Sequence, residues 1–534
     1  MKGKISKMKL YPEAINDDRI RQYLPTAAVV AESGSNGSEY LIGNREPAIF
    51  LWGDIPTCKI APGGWVLLDF GIELHGGVRL VNCDAAKIRL RFGESVSEAM
   101  QTPNQDHAIH DAELALPQCG AIEYGNTAFR FVRIDSLENK NDIVLQNVMA
   151  VALYRDLEWV GNFNSSDERL NRIWKTGAYT VQLCMQEYVF DGAKRDRLPW
   201  IGDLHPEMCT ILSVFSDTSL LQKTLDFVRD RTPEGSFCNA TPSYSLWFII
   251  CHWEYYLHTG NLAYLAEQKE YIRELLQRFS GMLAEDGSEA IVEWRFLDWP
   301  SCSDPAGVHA GLHGLLYWAF SCGIKILEAL GEDTVSCRNV MLKMSKIIPD
   351  CGNNKSAAAL LSLSGLADMS AILHQNPLSG ISTFFGGYVL NAQPTDTALE
   401  VIRRYWGGML DYGATTFWED FDLAWLENTS PITELPQPGK KDLHADFGNY
   451  CYKGLRHSFC HGWASGPTSF LSRRVLGVKF LTPGGSKISV KPDFGDLEYI
   501  SGSVPTPHGK ISITAEKGGK LSIDSPTGVE IIQP

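Results

Sequence analysis

Asn162 separates two kinds of hydrophobic pattern. Before it, from about Tyr40 to Tyr154, apolar and polar residues alternate in short runs such as GWVLLDFGIEL, GGVRLVNCD, KIRLRFGES, AFRFVRIDSL and IVLQNVMAVALY, broken by Gly, Pro and Asn. A period of two is the mark of strands with one buried face, so an antiparallel β-sandwich is expected here. After it, Leu170, Ile173, Trp174, Val181, Met185 and Tyr188 follow at helical spacing, behind Ser165 and Glu168 in the arrangement of a capping box. Further helical segments are predicted near 204–215, 217–230, 245–259, 262–284, 306–330, 333–347, 355–374, 382–391, 396–410 and 457–475, with Gly260, Gly331 and Gly387 near breaks. So many helices, joined by loops rich in Trp and Asp, fit a toroid of paired helices better than a simple bundle. Beyond Leu476 the strand pattern returns in KISVKP, DLEYISGSVPTP, GKISITAEKGGKLSIDS and VEIIQP. Three domains are therefore expected: a β-sandwich over 1–161, a helical toroid over 162–475 and a C-terminal antiparallel β-domain over 476–534.

A chain of 534 residues exceeds one core of ordinary size, in keeping with that division. Lys and Arg number 48 against 63 Asp and Glu, a net charge of −15, so no field is expected that would draw nucleic acid or anionic lipid. A neutral or weakly charged ligand suits this balance. The thirteen cysteines, from Cys58 to Cys460, show neither a CxxC pair nor His at zinc spacing, so neither a metal site nor a disulfide framework is expected. The start, MKGKISKMKLYPEAINDDRI, has no apolar stretch of signal-peptide length, and no run elsewhere reads as a bilayer span. A reducing cytoplasm is the expected compartment.

Three segments carry the residues most suited to chemistry. FDGAKRDRLPWIGD, residues 190–203, gathers Asp191, Asp196 and Asp203 with Arg195, Arg197 and Trp200 in a loop between helices. Carboxylates this close raise one another's pKa values, so one can stay protonated and donate while the others hold hydroxyls; the arginines pull the other way. Asp203 can equally be the N-cap of the helix containing Pro206. That plainer reading leaves Gly192, Gly202 and Trp200 without a role. In DYGATTFWEDFDLAW, residues 411–425, Glu419 follows Trp418 and could act as a base, although Glu419, Asp420 and Asp422 could also be a solvated acidic face. In RHSFCHGWASGP, residues 456–467, His457 reads as a satisfied core residue and His461 as a candidate for a cavity. Trp247 lies in a segment apolar all round, for which core packing is the default. Asp298 and Trp299, in WRFLDWPS, lie in a more polar loop.

With these segments in view, the chain resembles the α-L-rhamnosidases of glycoside hydrolase family 78 over most of its length. The match runs through DGAKRDRLPWIGD, then GATTFWE, then CHGWASGP with the following helix. The resemblance implies a β-sandwich before an (α/α)6 barrel, a six-hairpin toroid, with a β-domain after it. It implies that Asp196 is the general acid and Glu419 the general base of an inverting hydrolysis releasing terminal α-L-rhamnose. Sugar contacts would fall on Asp191, Arg195, Trp200, Asp203 and His461, with Trp247, Asp298 and Trp299 as further candidates. Family members commonly carry Glu at the acid position; Asp196 is one methylene shorter. The resemblance implies no cofactor and a rhamnose-containing glycoside as partner, with neither nucleic acid nor membrane; a homo-oligomer is compatible with it. A non-catalytic glycan-binding relative, and a polysaccharide lyase or glycoside phosphorylase on the same toroid, are the alternatives, because fold alone does not fix chemistry.

Overall fold

The structure, a computed structural model, describes residues 17–43, 55–102, 110–137 and 140–533; the basic start of the chain, Met1 to Asn16, lies outside them. The first domain is a strongly bent seven-stranded sheet built around the 25-residue strand Cys58–Asn82. That strand pairs antiparallel with Gly120–Ser136, with register breaks between Asp69 and Leu74 and again between Gly76 and Val78. Such irregularities bend a sheet and let it close on its own core. Pairing is antiparallel throughout, and Ile143–Tyr154 meets both ends of Cys58–Asn82, residues 143–145 against Cys58–Ile60 and residues 145–152 against Gly76–Asn82. Val66, Leu68, Leu80, Ile88, Leu90, Phe129, Val132 and Ile134, alternating along their strands, fill the interior.

The helical period continues into a closed ring. Ile201–Val214, Pro242–Thr259, Pro305–Ala329, Lys355–Leu363, Thr383–Asn391 and Gly466–Phe470 each pack on the next, and the last packs on the first. These six are nearly all buried, whereas the helices between them, such as Ser219–Arg231 and Lys269–Ser280, are buried on one stripe only. Closure, which periodicity cannot prove, is thus a packing fact of this chain: the fold is the expected six-hairpin toroid. Pro305–Ala329 is long enough and apolar enough to cross a membrane, with a mean hydropathy of 1.2 in its most apolar window, contrary to the reading that no run approaches a span. Because 78% of that window is buried inside the fold, its apolarity is that of a core helix.

Local expectations shift in three places. The first helix of the helical domain is Glu168–Cys184, and its cap is Asp167, whose side chain accepts from the Arg169 and Leu170 amides, rather than Ser165. Asn162–Ser165, where the helical period begins, is a strand paired antiparallel with Tyr499–Thr506 of the C-terminal sheet. The segment expected to be helical over 457–475 starts to turn only at Gly462, because the backbone of 457–459 is engaged in side-chain contacts described below. At the C-terminus a four-stranded antiparallel sheet and a three-stranded one share the toroid's core through Ile500, Ile511, Ile513 and Ile488.

Candidate active site

The loop 190–203 is pinned at both ends by close approaches that a side chain would forbid. Gly192 pairs with His461 as a β-bridge, and a Cβ there would lie 2.9 Å from His461 Nδ1 and 3.2 Å from the Cys460 carbonyl. At Gly202 a Cβ would come within 2.3 Å of the Tyr244 ring. These contacts give both glycines the role that a surface loop denies them. Between them, Asp191 is buried and accepts from the Leu198 amide at 3.0 Å, while its carbonyl accepts from the Gly462 amide at 2.8 Å. Asp203 lies in the first turn of Ile201–Val214, whose N-cap position is Trp200, so the capping alternative for Asp203 is overturned. Its carboxylate faces inward, 3.2 Å from His461 Nε2 and 3.3 Å from the Tyr244 hydroxyl, which donates to it.

Burial sets the protonation of this group. It pushes Asp191 well above the ordinary carboxylate range, with His461 opposing and Asp203 adding to it. Burial also raises Asp203, against the hydrogen bond from His461. The rise expected from mutual repulsion is therefore present, but desolvation is its main cause. For His461 burial acts downward and is outweighed by Glu419, Asp203 and Asp191, so the imidazole titrates higher than usual.

Glu419 enters the same cavity from the far side of the chain. It is 3% exposed, and both of its oxygens accept from Arg195 Nη2 at 2.5 Å. Oε2 also accepts from the Ser458 amide at 3.1 Å, and the Glu419 amide donates to the Ser458 carbonyl at 2.9 Å. The same guanidinium places Nη1 3.4 Å from Asp196 Oδ1. One planar group thus spans the two carboxylates, which confines their nearest oxygens to within about 8 Å given ordinary C–N bond lengths. Burial pulls Arg195 toward lower pKa, and Glu419 and Asp196 more than reverse it. Asp196 itself is a third exposed, touches Arg456 Nη2 at 3.9 Å, and sits with Arg197 in left-handed backbone at φ 54°. Two consecutive non-glycine residues in that region are strain of the kind found where a scaffold over-determines a functional loop.

The cavity is lined by Asp191, Arg195, Asp196, Trp200, Asp203, Glu419 and His461, together with Trp299, and these eight expected residues converge. Trp247 does not: it is 1% exposed and stacks against both His205 and Tyr388, at 4.9 and 5.0 Å, inside the helical core, as its apolar segment suggested. Asp298 does not either. Its oxygens accept from the Ser301 amide and from the Ser356 and Ser382 hydroxyls, beside a neighbouring cavity. His457 is a core residue whose Nε2 accepts from the Asp420 amide. Sequence reasoning passed over Tyr244, Trp294, Phe296, Cys451 and Trp463, which complete the lining. Trp294 and Phe296 stand in the same WRFLDW run as Trp299, so the aromatic spacing of that loop was the available signal. Trp463 also holds the backbone at Glu419, donating from Nε1 to its carbonyl at 2.8 Å.

Behind the loop lies a buried charge cluster that the sequence did not disclose. Lys194, 1% exposed, lies 2.8 Å from Glu98 Oε1 and 3.5 Å from Glu94 Oε2, both from the first domain, and donates to the carbonyls of Leu455 and His457. Glu94 Oε2 accepts from the Phe459 amide at 2.7 Å, and Arg195 Nε donates to the Arg456 carbonyl at 2.7 Å. Glu94, Glu98 and His444 converge closely enough to hold a cation, and the ammonium of Lys194 is the cation they meet.

Residues 158–312 match a family model described as the bacterial alpha-L-rhamnosidase 6 hairpin glycosidase domain. An alpha-L-rhamnosidase of Alteromonas sp. is 22% identical over 533 residues, 88% of this chain and 56% of that protein. Among solved structures, the glycoside hydrolase family 78 rhamnosidase of Bacillus sp. GL1 aligns with a TM-score of 0.74 at 21% identity, over 93% of this chain and 55% of that one. The rhamnosidase from Klebsiella oxytoca with rhamnose bound aligns with a TM-score of 0.69 at 20% identity, over 86% and 96%. The chain spans about half the length of the curated relatives it matches. The chain carries the fold of the glycoside hydrolase family 78 rhamnosidases, and the match to the six-hairpin glycosidase domain falls on its residues 158–312.

Proposed function

We propose that this chain hydrolyses terminal α-L-rhamnosides with inversion, Asp196 acting as general acid and Glu419 as general base. The observation that carries the reading is the single guanidinium of Arg195 in contact with both carboxylates inside one aromatic, acidic cavity. An inverting glycosidase needs two carboxyl groups about 6.5–9.5 Å apart, with room for water between the base and the anomeric carbon. Asp196, open to solvent on one side, protonates the glycosidic oxygen as the bond breaks. Glu419 removes a proton from the attacking water; a carboxylate offers about four lone-pair sites, so Arg195 and Ser458 do not exhaust it.

The remaining acids divide the work differently from a ring of negative charges. Asp191 and Asp203, pushed toward the neutral form by burial, suit hydrogen bonds with sugar hydroxyls. Trp200, Trp299 and Phe296 give the C–H face and the methyl group of a deoxysugar an apolar wall. A cytoplasmic location belongs to the same proposal, supported by thirteen unpaired thiols. The test is proton NMR of the hydrolysis of an aryl α-L-rhamnoside at early times. Initial release of β-L-rhamnose is expected; initial release of the α anomer, or no turnover, overturns the scheme.

A further inference from the structure

The cavity beside the catalytic one has a volume of about 480 Å³ and is polar, bordered by Asp298, Ser356, Ser382, Asp420, Asp422 and Tyr450. Three loops serve both cavities, with adjacent residues pointing to either side. Trp299, Glu419 and Cys451 line the catalytic cavity, while Asp298, Asp420 and Tyr450 line its neighbour. Consecutive Cα atoms are 3.8 Å apart, so the two spaces are separated by little more than the thickness of one chain. An aromatic surface bridges them: the Tyr450 ring stacks on Trp299 at 5.8 Å and 26°, and Trp299 meets Trp294 at 6.1 Å. Tyr450 and Trp294 are each about half exposed, and Tyr450 holds its ring there from a left-handed backbone at φ 57°.

The loop that carries Tyr450 hangs from the side of the cavity occupied by Asp196. Arg456 donates from Nε to the Cys451 carbonyl at 2.8 Å and places Nη2 3.9 Å from Asp196 Oδ1. A general acid delivers its proton to the leaving group, so the leaving group lies on this side.

We propose, resting on the hydrolase reading above, that the second cavity and the Trp299–Tyr450 surface bind the leaving group, and that this group is an uncharged sugar. The surface offers a ring face on which a pyranose can lie, and the serine hydroxyls and carboxyl groups behind it are of the kind that hydrogen-bond sugar hydroxyls. A uronate fits poorly. Asp298, Asp304, Asp420 and Asp422 border the space, burial pushing Asp298 up and Asp420 to about 7, so that part of their charge is lost near neutral pH; against them stands one cation, Lys355, whose ammonium already donates to the Asn376 carbonyl. A wholly apolar aglycone would strip water from these polar groups and offer them no hydrogen bond in return.

Three substrates and two variants test this. α-L-Rhamnosyl fluoride has no leaving sugar, so it reports hydrolysis alone; rhamnosyl-glucose and rhamnosyl-glucuronic acid report the second cavity. The wild type is expected to cleave all three, with kcat/KM for the uronate at least tenfold below that for the neutral disaccharide. Tyr450→Ala should lower kcat/KM on rhamnosyl-glucose about five- to tenfold, the worth of one ring contact, and leave the fluoride within about twofold. Asp422→Asn should narrow the gap between neutral and acidic disaccharides. Failure of the wild type to cleave the fluoride overturns the hydrolase reading and this one with it. Cleavage of the fluoride with Tyr450→Ala acting equally on all three substrates, or on none, overturns the leaving-group site alone. Equal or better use of the uronate overturns the preference for an uncharged sugar.

Discussion

The loop that carries Asp196 has a dry back and a wet front, and the two sides obey different electrostatics. At the back, Lys194, Glu94 and Glu98 are withdrawn from water, with side chains at most 2% exposed, and each is tied to backbone groups as well as to its counter-charge. At the front, two residues along, Asp196 keeps a third of its side chain in solvent and makes only loose ionic contacts, at 3.4 and 3.9 Å. Buried charges must be paired to be tolerated, and once paired they hold their neighbours rigidly. A proton donor must instead stay reachable. The contrast teaches how one short loop does both: the first domain supplies carboxylates that anchor Lys194, and the anchored loop presents Asp196 and Arg195 to the cavity.

The largest expected effect is at the front. Asp196→Asn and Glu419→Gln should each lower turnover of natural rhamnosides by about a hundredfold or more, since on the proposed mechanism each removes a proton-transfer group. Asp196→Asn should be milder on activated aryl rhamnosides, whose leaving groups need less protonation, whereas Glu419→Gln should fail on both. Steady-state kinetics on a pair of substrates with good and poor leaving groups decides it, and a near-full rate for either variant removes that residue from the mechanism.

At the back the effect is on stability. Lys194→Met leaves Glu94 and Glu98 facing each other in a dry interior, and breaking a buried ion cluster from one side costs about 3–5 kcal/mol. Urea denaturation should show that loss. Arg338→Ala, which removes an exposed ion pair with Glu328, should cost less than about 1 kcal/mol. Equal effects for the two would show that the back of the loop is wetter than its burial indicates.

Titration sharpens the same comparison. Burial raises Glu94 to about 7, against the pull of Lys194. The folded chain therefore binds this proton more tightly than the unfolded one, for which a value near 4.5 holds. Its stabilising contribution is complete below about pH 4.5 and is lost as pH rises through about 7. Stability of the wild type minus that of Glu94→Gln should accordingly fall across this window, as read from denaturant midpoints at several pH values. A flat difference would mean that Glu94 is ionised throughout and that Lys194 fully offsets its burial.

How much of this was legible in the sequence follows the same division. Asp191, Arg195, Asp196, Trp200 and Asp203 stand within thirteen residues, so their convergence needed only one loop, and the change of period at Asn162 announced the toroid. Glu419 and His461 were reached through their local motifs. Lys194 lay in plain view in DGAKRDR, but its partners are Glu94 and Glu98 in another domain, and pairing across about a hundred residues leaves no periodic trace. Asp298 and Trp299 show the finest limit. Both were singled out together, yet adjacent side chains of one loop face different cavities, and only the backbone path decides which faces which. The early helix predicted at 457 failed for a related reason: the backbone of 457–459 is drawn into contacts with Lys194, Glu419 and Glu94 instead of turning into a helix.

The smallest effect on stability should come from Asp196→Glu, which is also the closest probe of the front. The side chain is partly in solvent and its contacts are loose, so one added methylene displaces no packed neighbour, and a change within about 0.5 kcal/mol is expected. A small part of that change would come from the left-handed backbone at φ 54°, which Asp tolerates better than Glu. Activity is where the variant bites, because the longer arm moves the acidic proton by roughly one C–C bond, about 1.5 Å, relative to an Arg195 and Glu419 held in place from behind. If the cavity is shaped around the shorter acid, kcat falls on every rhamnoside while the denaturation midpoint stays put. If kcat instead rises on simple aryl rhamnosides and falls on disaccharides, the shorter acid serves to make room for a bulky leaving group. A large loss of stability would contradict the wet front altogether, since only a packed side chain could register one methylene so strongly.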